Sequence, residues 1–146
     1  MNRQTFNTAY KDLLFHLIYA KNKIRAGELL TAKNTIDVSI REYLMKFIRW
    51  EEHLNDPEKD LWHRARHFEK WADESHQLLI KDASPKYNAK DLEKSLLAIS
   101  RHMFRIANNI SRQTGVPLEY NKDISDYLSN PATKVSLTSI RKKEYV

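Results

Sequence analysis

The chain has 146 residues, a formal net charge of +6 and no cysteine. This length suits one domain with a core of its own, and the lack of cysteine excludes disulfides, thiol catalysis and thiolate metal sites. Only two glycines are present, too few for a Gly-rich phosphate loop. The apolar runs are too short to span a membrane, so we expect a cytoplasmic protein without a membrane partner and with a mild attraction for phosphates or RNA.

Apolar residues recur at helical spacing through the first third of the chain. They predict a first helix over residues 5–25 and, after Gly27, a second over residues 29–53. The apolar residues of the first pattern are Phe6, Tyr10, Leu13, Leu14, Leu17, Ile18 and Ile24. Those of the second include Ile36, Ile40, Leu44, Phe47 and Ile48.

Two further helix starts follow. Asp56 before Pro57 and Glu58 is typical of a helix N-terminus and predicts a third helix. The side chains that this helix would turn toward the core are Leu61, Trp62, Ala65, Phe68 and Trp71. Asp73 is the expected cap of a short fourth helix, which ends before Pro85.

The clearest pattern is a long helix between residues 88 and 117. Asn88 is its predicted N-cap, Gly115 its C-terminal left-handed residue, and Pro117 prevents it from resuming. The predicted core-facing stripe consists of Leu92, Leu96, Ile99, Met103, Ile106 and Ile110. The opposite face carries Lys94, Arg101, Arg105 and Arg112.

A short last helix is expected over residues 120–128. No stretch alternates as a strand would, so the sequence predicts an all-α fold, a four- to five-helix and mostly antiparallel bundle. We expect residues 1–130 to form this single domain and residues 131–146 to be a loosely ordered basic tail.

The residue pattern alone suggests few catalytic, metal-binding or phosphate-binding side chains. His63 and His67 stand four apart, but no third ligand follows at a suitable spacing, so we interpret them as a solvated pair and expect no metal site. The arginines of the long helix could bind phosphates, although a solvated face is the favoured interpretation. Arg64 and Arg66 receive the same interpretation, because no exposed aromatic residues are expected between them to stack on bases.

The chain resembles the helical RNases of the HEPN class in being a small helical bundle. Those proteins carry an arginine followed, after four to six residues, by a histidine on the last long helix. Here His102 directly follows Arg101, and neighbours on a helix point about 100° apart. The nuclease interpretation is therefore weak, and a HEPN-like binding module stays as the alternative.

A more specific resemblance runs from about residue 15 to residue 130. The letters Tyr19-Ala20-Lys21, Arg25, Gly27-Glu28-Leu29 and Ala32-Lys33 match a pattern of the aminoglycoside 6-adenylyltransferases, also called streptomycin adenylyltransferases. The matching continues in order with Arg41, Leu44, Met45, Trp50, then Phe68-Glu69-Lys70-Trp71, then Gly115 and Glu119-Tyr120-Asn121. In that family these motifs belong to the helical C-terminal domain.

The resemblance implies a substrate-binding or accessory helical domain that is not catalytic alone. The family's chemistry resides in a nucleotidyltransferase domain with a Gly-Ser motif and metal-binding aspartates, and neither glycine of this chain lies in such a motif. ATP and magnesium are implied for the complete enzyme, and a nucleotidyltransferase domain, fused or separate, is the implied partner. The positive charge fits poorly with a polycationic antibiotic, so the small-molecule substrate is left open.

The resemblance also implies a phosphate-facing site at one end of the bundle. Lys21 and Arg25 lie four apart and share a helix face, and in the family the matching residues lie on the helix nearest the nucleotide site. Tyr19, Glu28 and Lys33 would line the same opening, with no catalytic residue and no metal ligand among them. Two interpretations stay open beside it: an RNA-binding HEPN-like module, and an interaction domain that forms a homodimer through Leu97 and Phe104.

Overall fold

A computed structural model describes residues 2–119 and 122–129, and every regular element among them is helical. The longer helices are α1 (Arg3–Arg25), α3 (Arg41–Asn55), α5 (Glu74–Asp82) and α6 (Ala89–Thr114). The shorter ones are α2 (Leu29–Asn34), α4 (Phe68–Trp71) and α7 (Lys122–Ser129). A π-helical turn, Thr35–Ile40, joins α2 to α3, and a 3-10 turn, His63–Ala65, precedes α4. The predicted all-α fold is confirmed.

The first half of the bundle is a helical hairpin. Gly27, with φ +80°, lets the chain reverse after α1, and the continuous stretch of α2, the π-helical turn and α3 returns along it. Tyr10 packs against Phe47 with their ring centroids 6.1 Å apart, and further along the pair His16 stacks near Tyr43 at 5.5 Å. Residue numbers increase along α1 from Tyr10 to His16, while those of their partners decrease from Phe47 to Tyr43. The two stretches therefore run antiparallel.

The central helix α6 forms as its sequence predicts. The Asn88 side chain accepts a hydrogen bond from the Asp91 amide at 2.9 Å, and Gly115 ends the helix with φ 72°. All six residues of the predicted stripe are buried, and the four basic residues on the opposite face are exposed. The stripe packs against α1, α3, α5 and α7, which places α6 at the centre of the core.

The prediction that a third helix begins at Asp56 is wrong. Residues 56–67 instead form an irregular segment, in which Asp56 Oδ1 accepts a hydrogen bond from the Glu58 amide at 3.2 Å. Contacts with distant residues override the local start signal: Lys59 Nζ lies 2.6 Å from Glu52 Oε2 and donates to the Trp71 carbonyl oxygen at 3.0 Å. Phe68 and Trp71 are buried as expected, whereas Trp62 is 42% exposed.

The last two predicted helices are present. Asp73 caps α5 by accepting from the Ser75 amide at 3.3 Å, and α7 buries Ile124, Tyr127 and Leu128 against α1 and α6. Tyr120 and the predicted tail over residues 131–146 lie outside the described residues, so the proposed division of the chain stays a prediction. Among the helices described, none is long and apolar enough to cross a membrane.

Candidate functional site

Lys21 lies where α1, α6 and α7 meet. Its ammonium donates to the main-chain carbonyl of Tyr127 and lies 4.7 Å from the centroid of the Tyr127 ring. Burial lowers the pKa of Lys21, the positive charge of Arg25 lowers it further, and Glu93 opposes both effects. An ammonium has three donors, so the contact with Tyr127 leaves donors for a ligand.

A cavity of about 300 Å³ opens beside this ammonium. Its polar side chains are Lys21, Lys90, Glu93, Lys94 and Ser129, and its apolar wall consists of Leu96, Leu97 and Leu128. Three lysines and one glutamate line the cavity, so the side chains around it carry a net positive charge. Such a combination of apolar wall and few charged groups is typical of small-molecule sites.

The structure brings Arg25 to the same aromatic ring. Its guanidinium carbon lies 6.0 Å from the Tyr127 ring centroid, and the Tyr127 hydroxyl donates to Asn22 Oδ1. Arg25 and Lys21 therefore flank one side chain of α7. Arg25 itself is exposed and does not line the cavity.

The other three predicted residues are held by neighbours of their own. Lys23 lies 2.8 Å from Glu28 Oε2 and 5.4 Å from the centroid of the Tyr19 ring. Lys33 pairs with Asp37 at 3.0 Å and donates to the Pro85 carbonyl oxygen at 2.9 Å. None of Tyr19, Glu28 and Lys33 lines the cavity beside Lys21, and their suggested roles stay predictions.

Two further hollows on the described surface offer less to a charged ligand. One, of about 100 Å³, lies between α1, α6 and α7 and includes Arg101 and Phe104. The other, of about 330 Å³, is a shallow groove along the start of α1, where Lys11 is already paired with Glu119 at 2.6 Å. The cavity beside Lys21 is the best candidate because it combines three lysines with an apolar wall.

A buried ionic cluster that sequence reasoning missed lies elsewhere in the core. His76 places Nδ1 2.6 Å from Glu52 Oε1 and Nε2 2.7 Å from Glu51 Oε1, and all three side chains are buried. Glu51 also accepts from Asn109 at 2.7 Å and lies 3.6 Å from Arg105. Glu52 accepts from the Asp73 amide at 2.5 Å. The one available signal was the pair of adjacent glutamates directly after the apolar residues Phe47, Ile48 and Trp50 of α3.

The cluster shifts the titration of each member. Burial alone would lower the pKa of His76, but hydrogen bonds to Glu51 and Glu52 and their negative charges outweigh it and raise that pKa. Burial would raise the pKa of Glu51 and of Glu52, but the hydrogen bonds and positive charges around each hold it below its usual value. The cluster is thus an imidazolium between two carboxylates, closed to solvent and hence unsuited to binding a substrate.

The remaining residues singled out in the sequence are the histidines at 63, 67 and 102 and the arginines near them. His63 and His67 do not share a helix face, since His67 has a left-handed backbone with φ 57°, and no group of three or more metal-binding side chains is found within the described residues. His102 Nε2 lies 3.0 Å from Asp82 Oδ2, while Arg101 is exposed. The expectation that Trp62 turns toward the core is wrong, because its ring is exposed and its centroid lies 5.5 Å from the guanidinium of Arg66.

Comparison with known proteins adds one finding. The sequence model of a family described as streptomycin adenylyltransferase matches residues 2–130 of the chain. Searches of curated proteins and of solved structures found no match. The matched range covers every helix from α1 to α7.

Proposed function

The chain belongs to the streptomycin adenylyltransferase family, and from this we propose that it is the helical substrate-side domain of a nucleotidyltransferase-like protein. In this proposal the chain binds part of the substrate complex and is not catalytic alone. A nucleotidyltransferase domain, fused or separate, supplies the site of adenylyl transfer from ATP. The chain's own contribution is to bind and orient phosphate groups at Lys21.

The observation that carries this proposal is the position of Lys21 at the cavity between α1, α6 and α7. Its ammonium is partly withdrawn from water and fixed by Tyr127. A cation fixed in this way loses little conformational entropy on binding an anion, and its attraction for a phosphate is stronger than that of a fully solvated lysine. Lys90 and Lys94 add positive charge at the same opening.

The charges of the cavity select among ligands. Three lysines and one glutamate favour a phosphate over a polycationic antibiotic. The volume of about 300 Å³ is at the lower limit for small-molecule sites, so it suits a portion of a nucleotide whose remainder contacts the catalytic domain. ATP binding by this chain alone is expected to be weak for the same reason.

Magnesium is implied for the complete enzyme but is not assigned to this chain. The described residues contain no group of three or more His, Asp or Glu side chains that could hold a metal ion. The carboxylate nearest to Lys21 in the cavity is the single Glu93. Metal coordination therefore falls to the catalytic domain in this proposal, and no step is assigned to a metal here.

The test is an adenylyl-transfer assay with radiolabelled ATP, magnesium and a panel of aminoglycosides and aminocyclitols. We expect no labelled product from the chain alone, and product when a nucleotidyltransferase domain of the family is present. Transfer by the isolated chain would contradict the proposal that it is not catalytic alone. If the catalytic domain gives the same rate with and without the chain, the accessory role is wrong.

A further inference from the structure

The segment between α3 and α4 contains an unusual backbone. Arg64, Ala65 and His67 have φ values of 56°, 59° and 57°, and they are the only non-glycine residues with positive φ in the described part of the chain. A left-handed conformation costs free energy for a residue with a Cβ atom. Such strain persists only where the surroundings hold it, and it often marks a functional segment.

Side chains of the two flanking helices, α3 and α4, hold this loop in place by hydrogen bonds to its main chain. Arg49 of α3 donates to the Leu61 carbonyl oxygen at 3.2 Å and to the Trp62 carbonyl oxygen at 3.0 Å. The Trp71 indole of α4 donates to the Arg66 carbonyl oxygen at 2.9 Å. Because these bonds are accepted by main-chain carbonyl oxygens, the side chains of the loop remain available to contact a ligand.

The side chains that the loop leaves free are basic and aromatic. Residues 62, 63, 64, 66 and 67 are exposed, and none of the four basic ones has a carboxylate partner among the described residues. Arg66 lies 5.5 Å from the Trp62 ring centroid, and the His67 ring meets that indole edge-on at 4.9 Å. An exposed indole thus lies beside the guanidinium of Arg66, and the loop that carries both is held through its main-chain carbonyl oxygens.

We propose that the loop over residues 62–67 binds nucleotides, free or within a single strand of nucleic acid. Arg64 and Arg66 bind the phosphate, since guanidinium groups donate two parallel hydrogen bonds to it. Trp62 stacks on the base, and Arg66 adds a cation to that stack. The loop is built from other elements than the Lys21 cavity, so this site goes beyond the proposed function and does not depend on it.

The choice of a nucleotide over an acidic protein rests on Trp62. Cations alone would serve a carboxylate as well as a phosphate, but a fixed, exposed indole beside them offers a flat surface for a base. Trp62 is 42% exposed although it belongs to the residue types that proteins usually bury. A ligand with both a phosphate and an aromatic ring uses every exposed group of the loop.

The test is a binding titration with four probes: ATP, inorganic tripolyphosphate, a polyglutamate peptide and a fluorescent twelve-nucleotide RNA strand. Trp62→Ala should weaken binding of the nucleotide probes about tenfold, because base stacking on an aromatic ring is lost, and should leave tripolyphosphate binding unchanged. Tyr87→Ala is the matched control, since Tyr87 is a 61% exposed aromatic residue elsewhere on the surface. Loss for ATP and RNA alike indicates a free-nucleotide site, and loss for RNA alone indicates a strand.

The cationic part of the site has its own pair of variants. Arg64→Glu with Arg66→Glu should abolish RNA binding at the loop, while Arg101→Glu with Arg112→Glu, two exposed arginines of α6, should change it less than about twofold. Arg64→Gln with Arg66→Gln should lower the slope of the salt dependence of RNA binding by about 0.7, the contribution of the one phosphate that the two arginines neutralise. If the glutamate pair does not fold, the glutamine pair supplies the test.

Three outcomes would overturn the proposal. The first is that Trp62→Ala and Tyr87→Ala bind the nucleotide probes equally well. The second is that both arginine pairs weaken binding equally, which would mean that overall charge alone matters. The third is that polyglutamate binds as tightly as RNA. Lys21→Ala with Arg25→Ala should leave RNA binding at the loop unchanged, so failure here and failure of the proposed function are separate results.

Discussion

His76 is the single residue whose charge most affects the core. It donates to Glu51 and Glu52 from its two ring nitrogens, and all three side chains are buried. The remaining partners of the two carboxylates are Lys59, Arg105, Asn109 and the Asp73 amide. Removal of the imidazolium therefore leaves two buried carboxylates that no longer have their shared donor.

We expect His76→Leu to lower the free energy of unfolding by about 3–5 kcal/mol, the usual cost of breaking a buried ion pair from one side. His53→Leu is the control, because His53 is exposed at the end of α3 and should change stability by less than about 0.5 kcal/mol. Urea unfolding followed by circular dichroism measures both. Equal stability of the two variants would show that the cluster contributes nothing net.

The same cluster predicts a stability maximum in mildly acidic solution. The folded-state pKa of His76 is raised above 6.5, so its contribution is fully present below about pH 6.5 and is lost as the pH rises through the folded pKa. The folded-state pKa values of Glu51 and Glu52 are lowered below 4.5, so their contribution is present above about pH 4.5 and is lost as the pH falls through those values.

Urea unfolding at pH 5.5 and pH 9 measures this effect. We expect the free energy of unfolding to be greater at pH 5.5. His76→Leu should remove most of the loss between the two pH values, since the titrating imidazole is gone. Asp73 and Lys59, whose charges also face the cluster, are retained in both proteins. A wild-type protein that is more stable at pH 9 would contradict the assigned charge state.

At the scale of elements, α6 shows what a local signal can establish. Its cap, stripe and left-handed terminus depend on residues a few positions apart, so each could be predicted from the sequence. The segment after Asp56 shows the limit. Its start signal is also local, but Lys59 and Arg49 bind main-chain carbonyl oxygens twelve or thirteen residues away, and these bonds hold the segment out of a helix.

The cap of α6 gives an element-scale prediction. Asn88→Ala removes the acceptor for the Asp91 amide and should lower the free energy of unfolding by about 1 kcal/mol. Asn88→Ser keeps a capping oxygen and should lie within a few tenths of a kcal/mol of the wild type. Thermal unfolding of the three proteins compares them, and identical melting temperatures for all three would show that the cap is dispensable.

At the scale of the molecule, the sequence could predict the class of fold, because the apolar stripes indicate which helix faces pack. The resemblance to the family suggested Lys21 and Arg25 as phosphate-facing residues, and this role stays a prediction. The contact of Lys21 with Tyr127 joins residues 106 positions apart, and that of His76 with Glu51 joins residues 25 apart. No local pattern encodes such separations, so the cavity and the ionic cluster required the structure.

The cavity beside Lys21 is the centre of the functional account, and nucleotide affinity tests it most directly. ATP binding would be measured by calorimetry with a nucleotidyltransferase domain of the family present, for the wild type and for Lys21→Ala with Arg25→Ala. Lys81→Ala with Arg112→Ala, an exposed lysine and arginine on α5 and α6, is the control. Circular dichroism would verify that each variant keeps the folded bundle.

We expect Lys21→Ala with Arg25→Ala to weaken ATP binding about tenfold or more, because each charge-assisted hydrogen bond to phosphate is worth about 1.5–3 kcal/mol. The control pair should leave the affinity unchanged. An unchanged affinity in the folded Lys21→Ala and Arg25→Ala protein would contradict the account and leave both residues as ordinary surface charges.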